Sequence, residues 1–225
     1  MTWTLAALAV AGAAWGLVAD RIAARWPVHE AVVADDGATL QPAGWVRRVD
    51  WRTLVVALVG AAALVAVGDR YPAPPASLLF GAFTVACVLM LATDLDQRLL
   101  PDVLTLPVVP IAVGASLAGW NPLVPPGDLP LAVVAAVAVP AVLYLASIPF
   151  GAGAFGLGDV KFLAGAGLLA GVGPFLAGVV AGVLIAGVVL VVLLVLRQIT
   201  LRTYVPYGPF LIVGILWGIL AVGPS

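Results

Sequence analysis

Residues 174–196 read PFLAGVVAGVLIAGVVLVVLLVL, an uninterrupted apolar run without a charged side chain. A helix of about 20 apolar residues is long enough to cross a lipid bilayer. Other parts of the chain are apolar in the same way, and together the candidate spans are 3–19, 53–68, 76–93, 103–119, 129–149, 160–172, 174–196 and 207–222. The sequence therefore predicts an all-α polytopic membrane protein with about eight transmembrane helices.

The composition excludes several other classes of protein. Of the 225 residues, 64% are hydrophobic and 9% are charged, whereas an average soluble domain carries about 25% charged residues. A single cysteine, Cys87, and a single histidine, His29, provide neither a disulfide framework nor a structural zinc site. A net charge of -1 offers no basic surface for nucleic acid. We expect no metal, no cofactor and no nucleic-acid partner.

The spans are built mainly from small and aliphatic residues, which allow membrane helices to pack closely. We treat residues 1–225 as a single integral-membrane domain. The segment 160–172 is short for a full crossing, so it is either a tilted or re-entrant helix, or part of a hairpin that bends near Gly171 and Pro174. The first span has no basic residues before it, unlike a secretory signal peptide, and is interpreted as a retained helix.

Basic residues predict the orientation, because cytoplasmic loops of membrane proteins are enriched in lysine and arginine. Arg70 alone falls in the even-numbered loops. The odd-numbered loops hold nine basic residues, which are Arg21, Arg25, Arg47, Arg48, Arg52, Arg98, Lys161, Arg197 and Arg202. Both termini are therefore predicted to lie outside the cytoplasm. The loop 20–52 is predicted to be a solvated cytoplasmic segment.

Four carboxylates lie where predicted spans end. Residues 93–102 read TDLDQRLLPD and contain Asp94, Asp96 and Asp102, while Asp159 lies in a glycine-rich segment further along the chain. Such groups can simply mark the water interface, but ionisable residues at membrane depth are costly and often functional. The predicted topology places the Asp94 region and Asp159 on the same, cytoplasmic side.

Two carboxyl groups that approach each other cannot both ionise easily, so one keeps a proton while the other stays charged. The charged member can take a proton from water, and the protonated member can polarise the carbonyl of a peptide bond. No nucleophile with a base partner offers an alternative, since Cys87 lies within a span and His29 lies in a distant loop.

The glycines before Asp159 allow more than one interpretation. Residues 151–156, GAGAFG, match the dinucleotide-binding pattern G-x-G-x-x-G, but they lie between membrane spans and not in a βαβ unit. Gly156 and Gly158 would permit close backbone approach beside Asp159. A flexible loop is the simpler alternative.

Three short motifs lie between about residues 90 and 215. Residues 94–102 contain an aspartate followed at a short distance by Leu-Pro-Asp, residues 156–161 have the pattern G-x-G-D-x-K, and residues 205–211 read VPYGPFL. Together they resemble the type IV leader peptidases, also called prepilin peptidases, of the G-x-G-D intramembrane aspartic proteases, whose third motif is a Pro-Phe-Gly-Pro-Phe element. The motifs appear in the family's order.

The resemblance implies that Asp94 and Asp159 are the catalytic pair and gives no role to Asp96. It also implies a set of supporting residues, which are Gly156, Gly158, Lys161, Pro101 and Asp102. The family removes a short basic leader from pilin-like or pseudopilin precursors at the cytoplasmic face of the plasma (inner) membrane, so such precursors and the lipid bilayer are the implied partners.

The loop 20–52 departs from the pattern of many bacterial members, which carry two Cys-x-x-Cys pairs there that are linked to zinc and to N-methylation of the product. This loop has no cysteine, so we predict that N-methylation is absent. The alternative function is a small ion- or proton-coupled transporter that uses the same aspartates. A transporter would tend to place such groups near the bilayer midplane in related halves.

Overall fold

The computed structural model of the chain describes residues 2–26, 32–33, 39–40, 49–150, 155–198 and 207–222. Its α-helices are α1 (Thr2–Ala23), α2 (Trp51–Arg70), α3 (Pro74–Gln97), α4 (Asp102–Thr105), α5 (Val108–Leu117), α6 (Leu129–Ser147), α7 (Leu157–Ala170), α8 (Val172–Val195) and α9 (Gly208–Ala221). Short 3-10 turns lie at Pro126–Asp128 and Ile148–Phe150. Val32–Val33 (β1) pairs antiparallel with Thr39–Leu40 (β2).

Each of the eight predicted apolar segments is helical, which confirms the all-α membrane fold. Five helices are long and apolar enough to cross a membrane, namely α1, α2, α3, α8, and α6 with the 3-10 turn before it. The apolar helices at Asp102–Leu117 and Gly208–Ala221 are shorter.

The predicted span 103–119 is not one continuous helix. It divides into α4 and α5 at Leu106 and Pro107. Pro107 has no N–H to donate, and the amide of Val109, two residues later, donates to the carbonyl of Leu106 at 3.3 Å, in a tighter turn than an α-helix has. The predicted span is therefore interrupted at Leu106 and Pro107, after the single helical turn that Asp102 begins.

The short predicted span 160–172 corresponds to α7, which begins three residues earlier and ends before Gly171. The φ angle of Gly171 is +69°, a left-handed conformation that suits glycine, and α8 starts at the next residue. The 14 residues of α7 rise about 21 Å, less than the roughly 30 Å of a hydrocarbon core. Its early start places Asp159 inside the first helical turn.

The predicted boundaries of the loop 20–52 need correction at both ends. Helix α1 continues to Ala23 and α2 begins at Trp51. Asp20 is not a solvated loop residue, since it is 2% exposed and accepts a hydrogen bond of 2.8 Å from the Thr53 hydroxyl. The interpretations of His29 and of Arg47 concern residues outside the described part of the chain.

Glycine contacts allow the helices to approach closely, as the small-residue composition predicts. Helix α1 packs along α2, and α8 along α9. A Cβ atom added to Gly12 of α1 would lie 2.6 Å from the carbonyl carbon of Gly60 in α2. A Cβ atom added to Gly214 of α9 would lie 2.6 Å from the backbone nitrogen of Gly182 in α8. Backbones in such contact gain dispersion energy without needing a hydrophobic driving force.

The bundle has two distinct ends. At one end, Gln97 donates a hydrogen bond of 2.8 Å to the carbonyl of Ala23, so α3 ends where α1 ends. At the other end, Arg70 donates to the carbonyl of Val222 and the Tyr71 hydroxyl donates to that of Ile219. Arg70 is the basic residue that the sequence assigns to the outer loops. It lies at the end of the bundle away from the C-terminal ends of α1 and α3. Which end faces the cytoplasm stays a prediction.

Candidate active site

Asp94 lies in the last turn of α3, the helix that is buried in the bundle for most of its length. It is 4% exposed. The helix ends one turn later at Arg98, whose φ angle is +55° and whose N–H donates to the Asp94 carbonyl at 2.9 Å. The end of α3 thus fixes the backbone from which the Asp94 carboxyl group extends.

Asp159 is the third residue of α7. Its Oδ2 accepts a hydrogen bond of 3.2 Å from the backbone N–H of Gly156, the residue that caps this helix. A carboxylate in the first turn of a helix also interacts favourably with the positive end of the helix dipole. The glycine-rich motif therefore orients its aspartate through the start of a helix.

One small cavity joins the two motifs. Its volume is about 230 Å³. Both Asp94 and Asp159 line it, so the structure brings together the two residues that the sequence predicts to act as a pair. The other lining residues are Arg98, Leu99, Leu100, Gly156, Leu157, Gly158, Tyr207 and Gly208.

Both carboxyl groups line the same small cavity, so a negative charge on Asp159 disfavours a second one on Asp94. Nearby carboxylates disfavour the doubly ionised state, so a pair of this kind tends to share one proton. Oδ2 of Asp94 has no hydrogen-bond partner among the described residues. An ionised carboxylate with a buried, unpartnered oxygen is unfavourable, whereas Asp159 has the Gly156 amide.

Gly158 lies close to Leu100, and Gly156 does not need an unusual backbone conformation. A Cβ atom at Gly158 would lie 3.2 Å from Cβ of Leu100 and 3.6 Å from the Leu100 carbonyl oxygen. The φ angle of Gly156 is -77°, which any residue adopts. A Cβ atom there would lie 3.3 Å from Oδ2 of Asp159. The start of α7 is therefore pressed against the segment that precedes α4.

An ion pair links the same two segments at the surface. Nζ of Lys161 lies 2.7 and 2.8 Å from the two carboxylate oxygens of Asp102. Asp102 is the first residue of α4, and Pro101 before it has an extended backbone that starts the helix. Both charged side chains are partly exposed, so the pair is worth at most about 1 kcal/mol. Lys161 and Asp102 belong to different motifs and hold them together.

Asp96 does not line the cavity. Its Oδ1 accepts a hydrogen bond of 3.0 Å from Arg52, which also donates to the carbonyl of Leu95 at 3.3 Å. Sequence reasoning missed this role of Arg52. The one available signal was the helix start nearby, where Asp50 and Thr53 form a capping box.

The third motif also reaches the cavity. Val205 and Pro206 lie outside the described residues, but Tyr207 and Gly208 are part of the cavity wall. The sequence motif at 205–211 predicts a role for this segment, but it does not indicate which of its residues approaches the aspartates.

An all-helical membrane bundle with two carboxyl groups in one cavity defines a class, that of multi-pass membrane proteins with a carboxylate site at the end of the bundle. Comparison with known proteins identifies the family within this class. The type IV leader peptidase family matches residues 81–196, and the chain belongs to this family.

A curated relative supports the same assignment. The chain is 31% identical over 166 residues to the prepilin leader peptidase/N-methyltransferase of Pseudomonas putida, which covers 71% of this chain and 57% of that relative. The chain thus matches a little more than half the length of this relative. No solved structure matches the chain significantly.

Proposed function

We propose that this chain is a membrane-embedded aspartic endopeptidase, folded as a single domain, which cleaves the short basic leader from type IV prepilin-like or pseudopilin precursors. Cleavage takes place at the cytoplasmic face of the plasma membrane. The observation that carries the proposal is the cavity lined by Asp94 and Asp159, which come from two motifs far apart in the chain. Membership of the type IV leader peptidase family supports the substrate class.

In the proposed reaction, Asp159 is the ionised member of the pair and takes a proton from water. The Gly156 amide and the start of α7 favour its charged form. Asp94 holds the other proton and donates it to the oxygen of the scissile carbonyl as the water oxygen bonds to the carbonyl carbon. The product of this step is a neutral tetrahedral diol.

The diol then collapses. Asp159 gives its proton to the leaving nitrogen, the C–N bond breaks, and Asp94 takes back a proton from the diol as the carboxyl product forms. One water molecule is consumed and the pair returns to its starting state, so no covalent enzyme intermediate is needed.

The remaining motif residues have supporting roles in this proposal. Gly158 allows α7 to lie against Leu100, and the Lys161–Asp102 pair fixes the same contact at the surface. Both contacts set the separation of the two carboxyl groups. Misplacement of reacting groups by about 1 Å can lower a rate by about 100-fold.

The experiment that tests the function is a cleavage assay. Membranes that contain the chain are mixed with a prepilin-like precursor, and the product is sized and sequenced. We expect shortening at the leader junction with the wild-type chain and none with Asp159→Asn. A wild-type chain that inserts into the membrane and leaves several such precursors intact contradicts the proposal.

The transporter alternative has less support. Carboxylates in transporters tend to lie near the bilayer midplane on broken helices, whereas Asp94 lies in the last turn of α3 and Asp159 in the first turn of α7.

A further inference from the structure

Gly208, the first residue of α9, is in contact with the carboxyl group of Asp94. We propose that Gly208 is a positioning residue, because its missing side chain provides the space in which the Asp94 carboxyl group lies. The inference rests on the proposed function only for its effect on the reaction rate. The contact itself can be tested without any activity.

The geometry is specific to this carboxyl group. A Cβ atom built on Gly208 would overlap Oδ2 of Asp94, lie 2.8 Å from its Cγ and lie 3.1 Å from its Oδ1. These are the three nearest heavy atoms, and all of them belong to one side chain. Both residues are buried, so the two groups meet away from the protein surface.

Other glycines of α9 have a different function. A Cβ atom at Gly214 would meet the backbone of Gly178 and Gly182, and one at Gly218 would meet the backbone of Pro174 and Gly178. Substitution at those positions would force α9 away from α8. At Gly208 the obstructing atoms form the end of a side chain, which can rotate. Alanine at 208 would therefore displace the carboxyl group before it displaces a helix.

Packing also contributes to the orientation of the Asp94 carboxyl group. Oδ2 of Asp94 is buried and has no hydrogen-bond partner among the described residues. An oxygen without a hydrogen-bond donor is positioned by packing and by the charges of Arg98 and Asp159 in the same cavity, and Gly208 supplies a close packing contact to it. This gives the third motif a physical role: the start of α9 forms the wall against which the aspartate of the first motif rests.

Steady-state kinetics on the full chain test the effect on the reaction. We expect Gly208→Ala to lower kcat about 100-fold, as for a misplaced reacting group, with KM changed less than about twofold, because the substrate-binding surface is otherwise intact. Gly187→Ala is the matched control, since a Cβ atom there meets nothing within 4 Å. A normal kcat for a folded Gly208→Ala chain overturns the positioning role and leaves the proposed function standing.

A double-mutant cycle of thermal stability tests the contact independently of cleavage. Any loss of Tm caused by Gly208→Ala should disappear in an Asp94→Ala background, where the obstructing carboxyl group is gone. Gly218→Ala should lower Tm equally in both backgrounds, because it meets backbone atoms of α8. An equal loss of Tm for Gly208→Ala with and without the Asp94 carboxyl group overturns the inference.

Discussion

Lys161 in the second turn of α7 forms an ion pair with Asp102, the first residue of α4, and its Nζ lies 2.7 and 2.8 Å from the two carboxylate oxygens. The pair connects two motifs that the chain carries far apart, on the surface beside the cavity of Asp94 and Asp159. In the proposed function it helps to set the distance between the two aspartates, although neither Lys161 nor Asp102 lines their cavity.

We expect Asp102→Asn and Lys161→Met each to reduce cleavage by about fivefold or less, because a partly exposed ion pair contributes at most about 1 kcal/mol. The double variant should be no worse than either single variant, since all three lose the same contact. Rates from initial-velocity assays in membranes provide the measurement. Strictly multiplicative losses would show that the two residues act separately.

Asp96→Asn should retain most of the cleavage activity. Asp96 pairs with Arg52 and is absent from the cavity wall, so its loss affects the packing of α2 against α3 and not the chemistry. We expect a small decrease in Tm and an activity within a few fold of the wild type. Asp94→Asn, two residues away, is the matched control. An inactive Asp96→Asn chain beside an active Asp94→Asn chain would move the catalytic role to Asp96.

The helical segments could be predicted from sequence because hydropathy is a local property. All eight apolar segments form helices, and the one predicted to be short is α7. The break between α4 and α5 was not predicted, although Pro107 is visible in the sequence. A proline inside an apolar run can either kink a helix or end it, and the neighbouring helices decide which.

The candidate site was predictable only in part. That Asp94 and Asp159 lie at the same end follows from counting spans, which needs no knowledge of packing. The contact between Gly208 and Asp94 depends on where α9 packs, and the pairing of Asp20 with Thr53 depends on how α1 meets α2. Such contacts join distant parts of the chain, and a single sequence carries no signal of them.

The orientation of the bundle in the membrane can be tested by labelling single cysteines in a Cys87→Ser background. The nine basic residues of the odd-numbered loops predict that single cysteines at positions 47 and 202 react only from the cytoplasmic side. Cysteines at 125 and 225 should react only from the outside. A cysteine at 225 that reacts only from the cytoplasm would mean that the number of crossings is odd, most simply because α7 does not cross the membrane.

N-methylation of the product is predicted to be absent, because the loop 20–52 contains no cysteine. Mass spectrometry of the cleaved precursor should give the mass of an unmodified N-terminus. The control is the same precursor cleaved by a relative that has the cysteine pairs. A methylated product made by this chain alone, with a methyl donor supplied, would contradict the prediction.

The central claim is that Asp94 and Asp159 act as one catalytic unit. Asparagine keeps the volume of the side chain but cannot exchange the proton, so Asp94→Asn, Asp159→Asn and the double variant isolate the chemistry from the packing. Groups that act as a unit are not additive. Each single variant should therefore lose about as much activity as the double variant.

The most direct measurement is the rate at which Asp159→Asn, inserted and folded like the wild type, cleaves a prepilin-like precursor at the leader junction. Insertion and folding are checked by expression level and by Tm in the same membranes. We predict no cleavage above background. Cleavage by Asp159→Asn at the wild-type rate would contradict the account.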